Sequence, residues 1–347
     1  MDKLRWGVIA AGGIADRRTI PGMLLAENAE LVAVMEIEKQ MAERIREKYN
    51  AKRAYISVEE LLADPEVDAV YIASPVWAHA AQARLAADAG KHILIEKPLA
   101  MTAEEAEAVV SYCKGKNVQI AVGFAMRFGS GVQAMKRAVS RGKIGNVVSA
   151  YAQFTCWYPE MENAWRQKKA LAGGGALMDM GVHCIDLMQY ITESKVLQVA
   201  AFNDNQTFDY EVEDASTLLL RLANGAQCVV QSNFNIPDAA SKWRLEFFGT
   251  RGRLLGDNVI GQEDTGTVNA LFIGDAGDYN AQQDDEKPQG DLLKMEYGNF
   301  YTREIKSFSD SILNGKPLAA PAEDAIYVQR VIEAAYRSGE EGIIVSL

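Results

Sequence analysis

The feature that most constrains this chain is an alternation that runs through its first third. Short, largely apolar runs recur at Gly7 to Ala10, Leu31 to Met35, Asp68 to Ala73, His92 to Ile95 and Val118 to Val122. Stretches with helical signals separate them. A strand without a polar face must be covered on both sides, so such strands joined by helices read as a parallel sheet with right-handed crossovers. Residues 38–49 are charged and amphipathic, and Gly90 ends a helix running from His79 to Ala89. Ser57 with Glu60 and Thr102 with Glu105 form capping boxes. The expected class is α/β, with a doubly wound parallel sheet over residues 1–123.

The pattern changes after Gly123. Residues 147–158 form one long extended stretch, and strands follow at 196–202, 216–222, 226–234 and 243–248. Asn224-Gly225 signals a hairpin, and Thr250-Arg251-Gly252 another tight turn. Residues 274–291 are polar and acidic and read as a surface excursion. Two helices, roughly 299–313 and 323–338, close the chain. Residues 124–347 are therefore expected to form an α+β domain on a large, mostly antiparallel open sheet. The chain's 347 residues suit two domains.

Charge and cysteine usage exclude several functions. Lysine and arginine total 36 against 47 aspartates and glutamates, a net charge of −11. Phosphates need a basic footprint, so no nucleic-acid or anionic-membrane partner is expected. The four cysteines, Cys113, Cys156, Cys184 and Cys228, are scattered. That fits a reducing, cytoplasmic location and no structural zinc. No apolar run approaches the ~20 residues of a membrane span. The apolar stretch from Trp6 to Ala15 reads as a strand and glycine turn rather than a signal peptide.

Four segments carry chemistry. Gly7 to Ala15 lies between the first strand and its helix, where a dinucleotide pyrophosphate would meet free helix amides. Its fingerprint is imperfect: Ala10-Ala11-Gly12-Gly13-Ile14-Ala15 keeps only the middle glycine of G-x-G-x-x-G. Glu36 ends the second strand, 24 residues after Gly12. It can accept from both ribose hydroxyls of NAD and would repel the 2′-phosphate of NADP, or it is a solvated strand-end charge. Glu96-Lys97-Pro98 ends the fifth strand. Lys97 there can donate to a substrate oxygen, or form a surface ion pair with Glu96. In GGGALMDMGVHCID, residues 173–186, Asp179 and His183 are four apart and share one helix face, with Asp186. Metal ligation needs more ligands than are evident, and no nucleophile elbow is present. Proton transfer is the chemistry that remains for this pair.

These segments resemble the Gfo/Idh/MocA oxidoreductases, named for glucose-fructose oxidoreductase and inositol dehydrogenase. The resemblance spans nearly the whole chain. It rests on the glycine turn, on AGKHILIEKPLA (Ala89 to Ala100), on Trp165-Arg166 and on GGGALMDMGVHCIDL. It implies a Rossmann domain followed by an α+β domain whose open sheet often forms the oligomer interface. It implies NAD(P)-linked oxidation or reduction of a carbinol on a sugar, cyclitol or related molecule. The family's catalytic lysine, aspartate and histidine are matched by Lys97, Asp179 and His183, with Lys97-Pro98 often cis. Its cofactor-contacting positions are matched by Gly12, Gly13, Ile14, Glu36, Ser74, Pro75, His79 and Glu96. Trp165, Arg166 and Tyr301 resemble residues near cofactor and substrate in some reductases of the family. Ala10 departs from a usual glycine and Val76 from a frequent asparagine.

The combined expectation is an NAD-dependent dehydrogenase acting on a sugar, glycoside or cyclitol, working as a homo-oligomer. Arg127, Trp157, Tyr158 and Trp165 are candidates for the sugar pocket, although Trp157 and Tyr158 could equally be strand core. One alternative is an NADP-dependent reductase of the same family, resembling 1,5-anhydro-D-fructose reductase. Another is a non-catalytic nucleotide sensor on this fold.

Overall fold

The computed structural model describes residues 2–274 and 288–347. Most of the expected 274–291 excursion lies outside those residues. Two compact units divide the chain: Met1–Phe128, Lys168–Gly173 and Asn299–Arg330 form the first, and Gly129–Gln167, Gly174–Gly298 and Val331–Leu347 the second.

In the first unit, β1 (Leu4–Ile9), β2 (Ala29–Met35), β3 (Arg53–Tyr55), β4 (Ala69–Ile72), β5 (His92–Ile95) and β6 (Ile120–Val122) pair in parallel, in the order β3-β2-β1-β4-β5-β6. The order reverses between β1 and β4, and ligands of doubly wound sheets bind off the carboxyl ends of the strands at such a point. The strands are buried almost throughout, with Trp6 and Tyr71 at 0% exposure. Both expected caps form: Ser57 Oγ accepts from Glu60 N–H and Thr102 Oγ1 from Glu105 N–H.

This unit also takes the helix Phe300–Asn314, which the sequence pattern assigned to the second domain. Its buried residues Tyr301, Ile305 and Phe308 recur at helical spacing. Phe308 packs on Trp6 with ring centroids 5.2 Å apart, and the Trp6 indole donates to Ser309 Oγ at 3.2 Å. Distant segments that share apolar surface cluster together, and nothing local in the sequence marks that pairing.

The second unit holds a nine-stranded mixed sheet. Its strands are β7 (Val147–Thr155), β8 (Val196–Asp204), β9 (Ala215–Leu222), β10 (Gln227–Asn233), β11 (Arg244–Gly249), β12 (Gly252–Asp257), β13 (Thr267–Phe272), β14 (Asp291–Leu292) and β15 (Val345–Ser346). They run in the order β14-β13-β12-β11-β7-β10-β9-β8-β15. Pairing is antiparallel except between β7 and β10. The Asn224-Gly225 turn joins β9 to β10, with Gly225 at φ 88°. Helix Val182–Thr192 lies against β7 and β10 on one face. Among the described residues, side chains on the other face such as Phe202 and Leu219 are exposed.

Candidate functional site

In the first unit the site begins where β1 ends. Ala10 takes φ 57°, a left-handed conformation that costs an L-residue energy, at the position where the sequence pattern lacked its glycine. Gly13 follows at φ 55° with no atom within 4 Å of where a side chain would start. The Gly12 N–H donates to Glu36 Oε1 at 2.7 Å, and a Cβ on Gly12 would meet that oxygen at 2.9 Å. The turn thus fixes a carboxylate at the end of β2. Backbone amides at a turn opening into a helix, with an acid beside them, fit a dinucleotide's pyrophosphate and ribose diol.

Beyond β4 and β5 the strand-end loops are tied together. Ser74 Oγ donates to Gln82 Oε1 at 2.5 Å, and Pro75 precedes the helix Val76–Asp88. His79, which the family resemblance implies as a cofactor contact, is 1% exposed. Its ring nitrogens face the carbonyls of Pro98 at 2.9 Å and Ser74 at 2.8 Å. Burial pushes its pKa down, against the pull of those carbonyls. His79 braces the two loops and offers no ring nitrogen to a ligand. The Lys97-Pro98 bond is cis. Glu96 accepts from the Tyr71 phenol and from the Lys97 N–H at 3.2 Å, while Thr19 Oγ1 donates to Tyr71 at 3.0 Å. Lys97 is half-buried.

Two further expectations are corrected. Arg127 is 4% exposed and donates to Ala319 O and Asp324 Oδ2, both at 3.0 Å. It anchors the start of the helix Ala322–Glu341 and leaves the proposed sugar set. Tyr301 is 7% exposed and packs on Phe300, with its Cβ 2.7 Å from where a Gly22 Cβ would sit. Burial, with Glu96 and Glu304 nearby, pushes its phenol far up. Tyr301 is core.

In the second unit, Asp179 lies within a turn of π-helix, Leu177–Gly181, that runs into the helix Val182–Thr192. The sequence spacing predicts plain α-helix here; π turns recur at functional sites. Asp179 Oδ1 lies 3.7 Å from Arg166 Nε, and the Arg166 guanidinium stands 4.4 Å over the Trp165 ring. Burial raises the Tyr158 phenol, with Arg166 pulling down and Asp179 pushing up. Tyr158, Trp165, Arg166 and Asp179 therefore form one group. His183 is 9% exposed, edge-on to Phe154 at 6.0 Å. Asp186 is 2% exposed and belongs to the core. Trp157 is 42% exposed and packs on Phe208, which stacks on Tyr210. Among the described residues no three His, Cys, Asp or Glu side chains gather as a metal site, and no helix is long and apolar enough to cross a membrane.

Pattern reasoning missed two buried acids. Glu304 sits in the first unit beside Glu96, and Glu213 in the second accepts the amides that open the Asp179 turn. The run Gly173-Gly174-Gly175 was the available signal for Glu213, since glycines mark close approach.

Residues 4–124 match the family described as oxidoreductase family, NAD-binding Rossmann fold, and residues 132–255 match the GFO/IDH/MocA C-terminal domain. The chain is 29% identical to 1,5-anhydro-D-fructose reductase of Ensifer adhaerens, over 93% of this chain and 92% of that one. It is 28% identical to myo-inositol 2-dehydrogenase of Thermotoga maritima, over 97% of each. Its fold matches the aldose-aldose oxidoreductase of Caulobacter crescentus complexed with glycerol with a TM-score of 0.86, at 26% identity, covering 99% of this chain and 100% of that one. The chain belongs to the GFO/IDH/MocA family of oxidoreductases and carries its NAD-binding Rossmann fold.

Proposed function

We propose that this protein is an NAD-dependent dehydrogenase that oxidises a carbinol of a sugar, glycoside or cyclitol. The observation that carries the reading is the Asp179 group: a carboxylate beside Arg166 and Tyr158, with His183 one turn further along. A histidine with a nearby carboxylate suits removal of a hydroxyl proton. The substrate class follows the relatives, which act on an anhydro sugar and an inositol.

In this reading His183 takes the hydroxyl proton. Lys97 donates to the reacting oxygen and holds its developing negative charge, while Asp179 orients the groups and supports the cation. Bound NAD supplies the hydride acceptor. The turn at Gly12, Gly13 and Ile14 would receive its pyrophosphate, and Glu36, held by the Gly12 N–H, would accept its ribose hydroxyls, with Ser74, Pro75 and Glu96 beside them. Trp165 and Arg166 serve both cofactor and substrate, and Tyr158 stacks on the sugar.

The first unit is the cofactor domain; the second serves substrate and assembly. The exposed sheet face supports a homo-oligomer, and the scattered free cysteines support a cytoplasmic location. Leu219, 57% exposed, pairs across the strands with Val229, and Val229 with Tyr151. Phe202, at 75%, stands on the same face. An apolar row of this kind marks an interface. The test is a screen of sugars, glycosides and inositols with NAD and with NADP, read by absorbance at 340 nm. NAD reduction by members of one class is expected. A panel active only with NADP would overturn the cofactor assignment, and an inactive panel the dehydrogenase reading.

A further inference from the structure

Helix N-termini leave backbone N–H groups without intrahelical partners, and something must receive them. At the start of the turn that carries Asp179, one residue receives three in succession. Glu213 Oε1 accepts from Gly175 N–H at 3.0 Å and Leu177 N–H at 2.9 Å, and Oε2 shares the Gly175 N–H at 3.0 Å. Between them, the Ala176 N–H donates to the Glu213 carbonyl at 3.0 Å. The carboxyl is held in turn by the Tyr336 phenol, which donates to Oε1 at 2.9 Å. Glu213 is 8% exposed.

The glycine run is shaped to this contact. A Cβ on Gly174 would lie 1.8 Å from Tyr336 Oη, and one on Gly175 would lie 2.0 Å from the Glu213 carbonyl oxygen. The connection onward includes a helical hydrogen bond: the Asp179 N–H donates to Gly175 O at 3.0 Å. Asp179 is thus one helical bond away from the residue that Glu213 grips, and His183 follows one turn later.

We propose that Glu213 and Tyr336 are positioning residues, a clamp that sets the rotation and height of the turn presenting Asp179 and His183. The inference rests on the catalytic roles proposed above for that pair. A carboxylate aimed at the helix start is also favoured by the helix dipole, so a purely structural cap is the competing explanation. The two differ in what they do to His183. A cap adjusts stability alone; a clamp moves the imidazole relative to Phe154 and Asp179.

The chain has three histidines, so each ring can be followed separately. The test compares imidazole nitrogen–proton spectra of 15N-histidine-labelled full-length protein across the neutral pH range, for wild type, Glu213→Gln and Tyr336→Phe. The clamp predicts that the His183 ring signals and titration curve shift in both variants, while His79 and His92 stay in place. Folded variants with lowered melting temperature and an unmoved His183 would overturn it. If Glu213→Gln does not fold, Tyr336→Phe, which removes one hydroxyl, decides the question. The catalytic reading fails separately: a His183→Asn enzyme with undiminished NAD reduction ends that reading whatever the spectra show.

Discussion

Replacing Glu304 by glutamine should stabilise the protein, and more so as pH rises. The Glu304 side chain is 3% exposed, and its Oε1 has no hydrogen-bond partner. Burial, reinforced by the Glu96 carboxylate, pushes its carboxyl well above the usual range. The folded chain therefore binds this proton more tightly than the unfolded chain does. For such a group the stability is fully present below the unfolded pKa, about 4.3, and is lost as pH rises toward the folded value, by about 1.4 kcal/mol per pH unit. Glutamine keeps the shape and has no proton to lose. The advantage of Glu304→Gln over wild type should therefore grow as pH rises from about 5.5 to 7.5, at up to about 1.4 kcal/mol per pH unit while the folded carboxyl keeps its proton. The Glu96 carboxylate acts on Glu304, so the difference reports the pair. Urea unfolding of both proteins at the two pH values, followed by far-UV circular dichroism, gives the number. A stability difference that is the same at both pH values would refute the argument that Glu304 is held neutral.

Three shorter predictions come from other parts of the molecule. Ala10→Gly relieves a left-handed alanine, and after the added unfolded-chain entropy it should stabilise by about 0.5–1 kcal/mol; an unchanged or lowered melting temperature would contradict the strain. Glu36→Ala should narrow the preference for NAD over NADP by removing a carboxylate from beside the 2′-phosphate, as measured by fluorescence titration with both reduced cofactors. Burial raises the thiols of Cys113 to about 11 and of Cys184 and Cys228 to about 12, so only half-buried Cys156 should react rapidly with a thiol reagent in the folded state. Two or more fast thiols would contradict that.

Local signals carried much of the first unit into the sequence. β5 falls on the expected residues, His92 to Ile95, because an apolar run bounded by turns leaves little choice. The caps at Ser57 and Thr102 were legible for the same reason: cap and target lie three residues apart. β3 was not, since Arg53–Tyr55 is short, polar at its start and only half-buried. Long-range pairings account for most of the rest. Arg127 reads as a sugar-pocket donor until Asp324, 197 residues away, closes on it. Tyr301 reads as a ligand contact until its helix lies on the sheet of the first unit. Glu213 reaches Gly175 across 38 residues, and only the glycines hinted at it. The catalytic candidates stood out because their motifs are compact. The groups that brace them did not, because bracing is done by residues distant in sequence.

The central claim is that Lys97 acts on the reacting oxygen. Lys97→Met keeps much of the stem and deletes the charge. With a substrate identified in the screen, steady-state kinetics of wild type and variant should show kcat falling on the order of 10²–10³, the usual effect of removing one such donor. An NADH fluorescence titration on the same preparations should show binding largely retained. Turnover within a few-fold of wild type, with a small loss of stability, would mean that Lys97 forms a surface ion pair and would contradict the account.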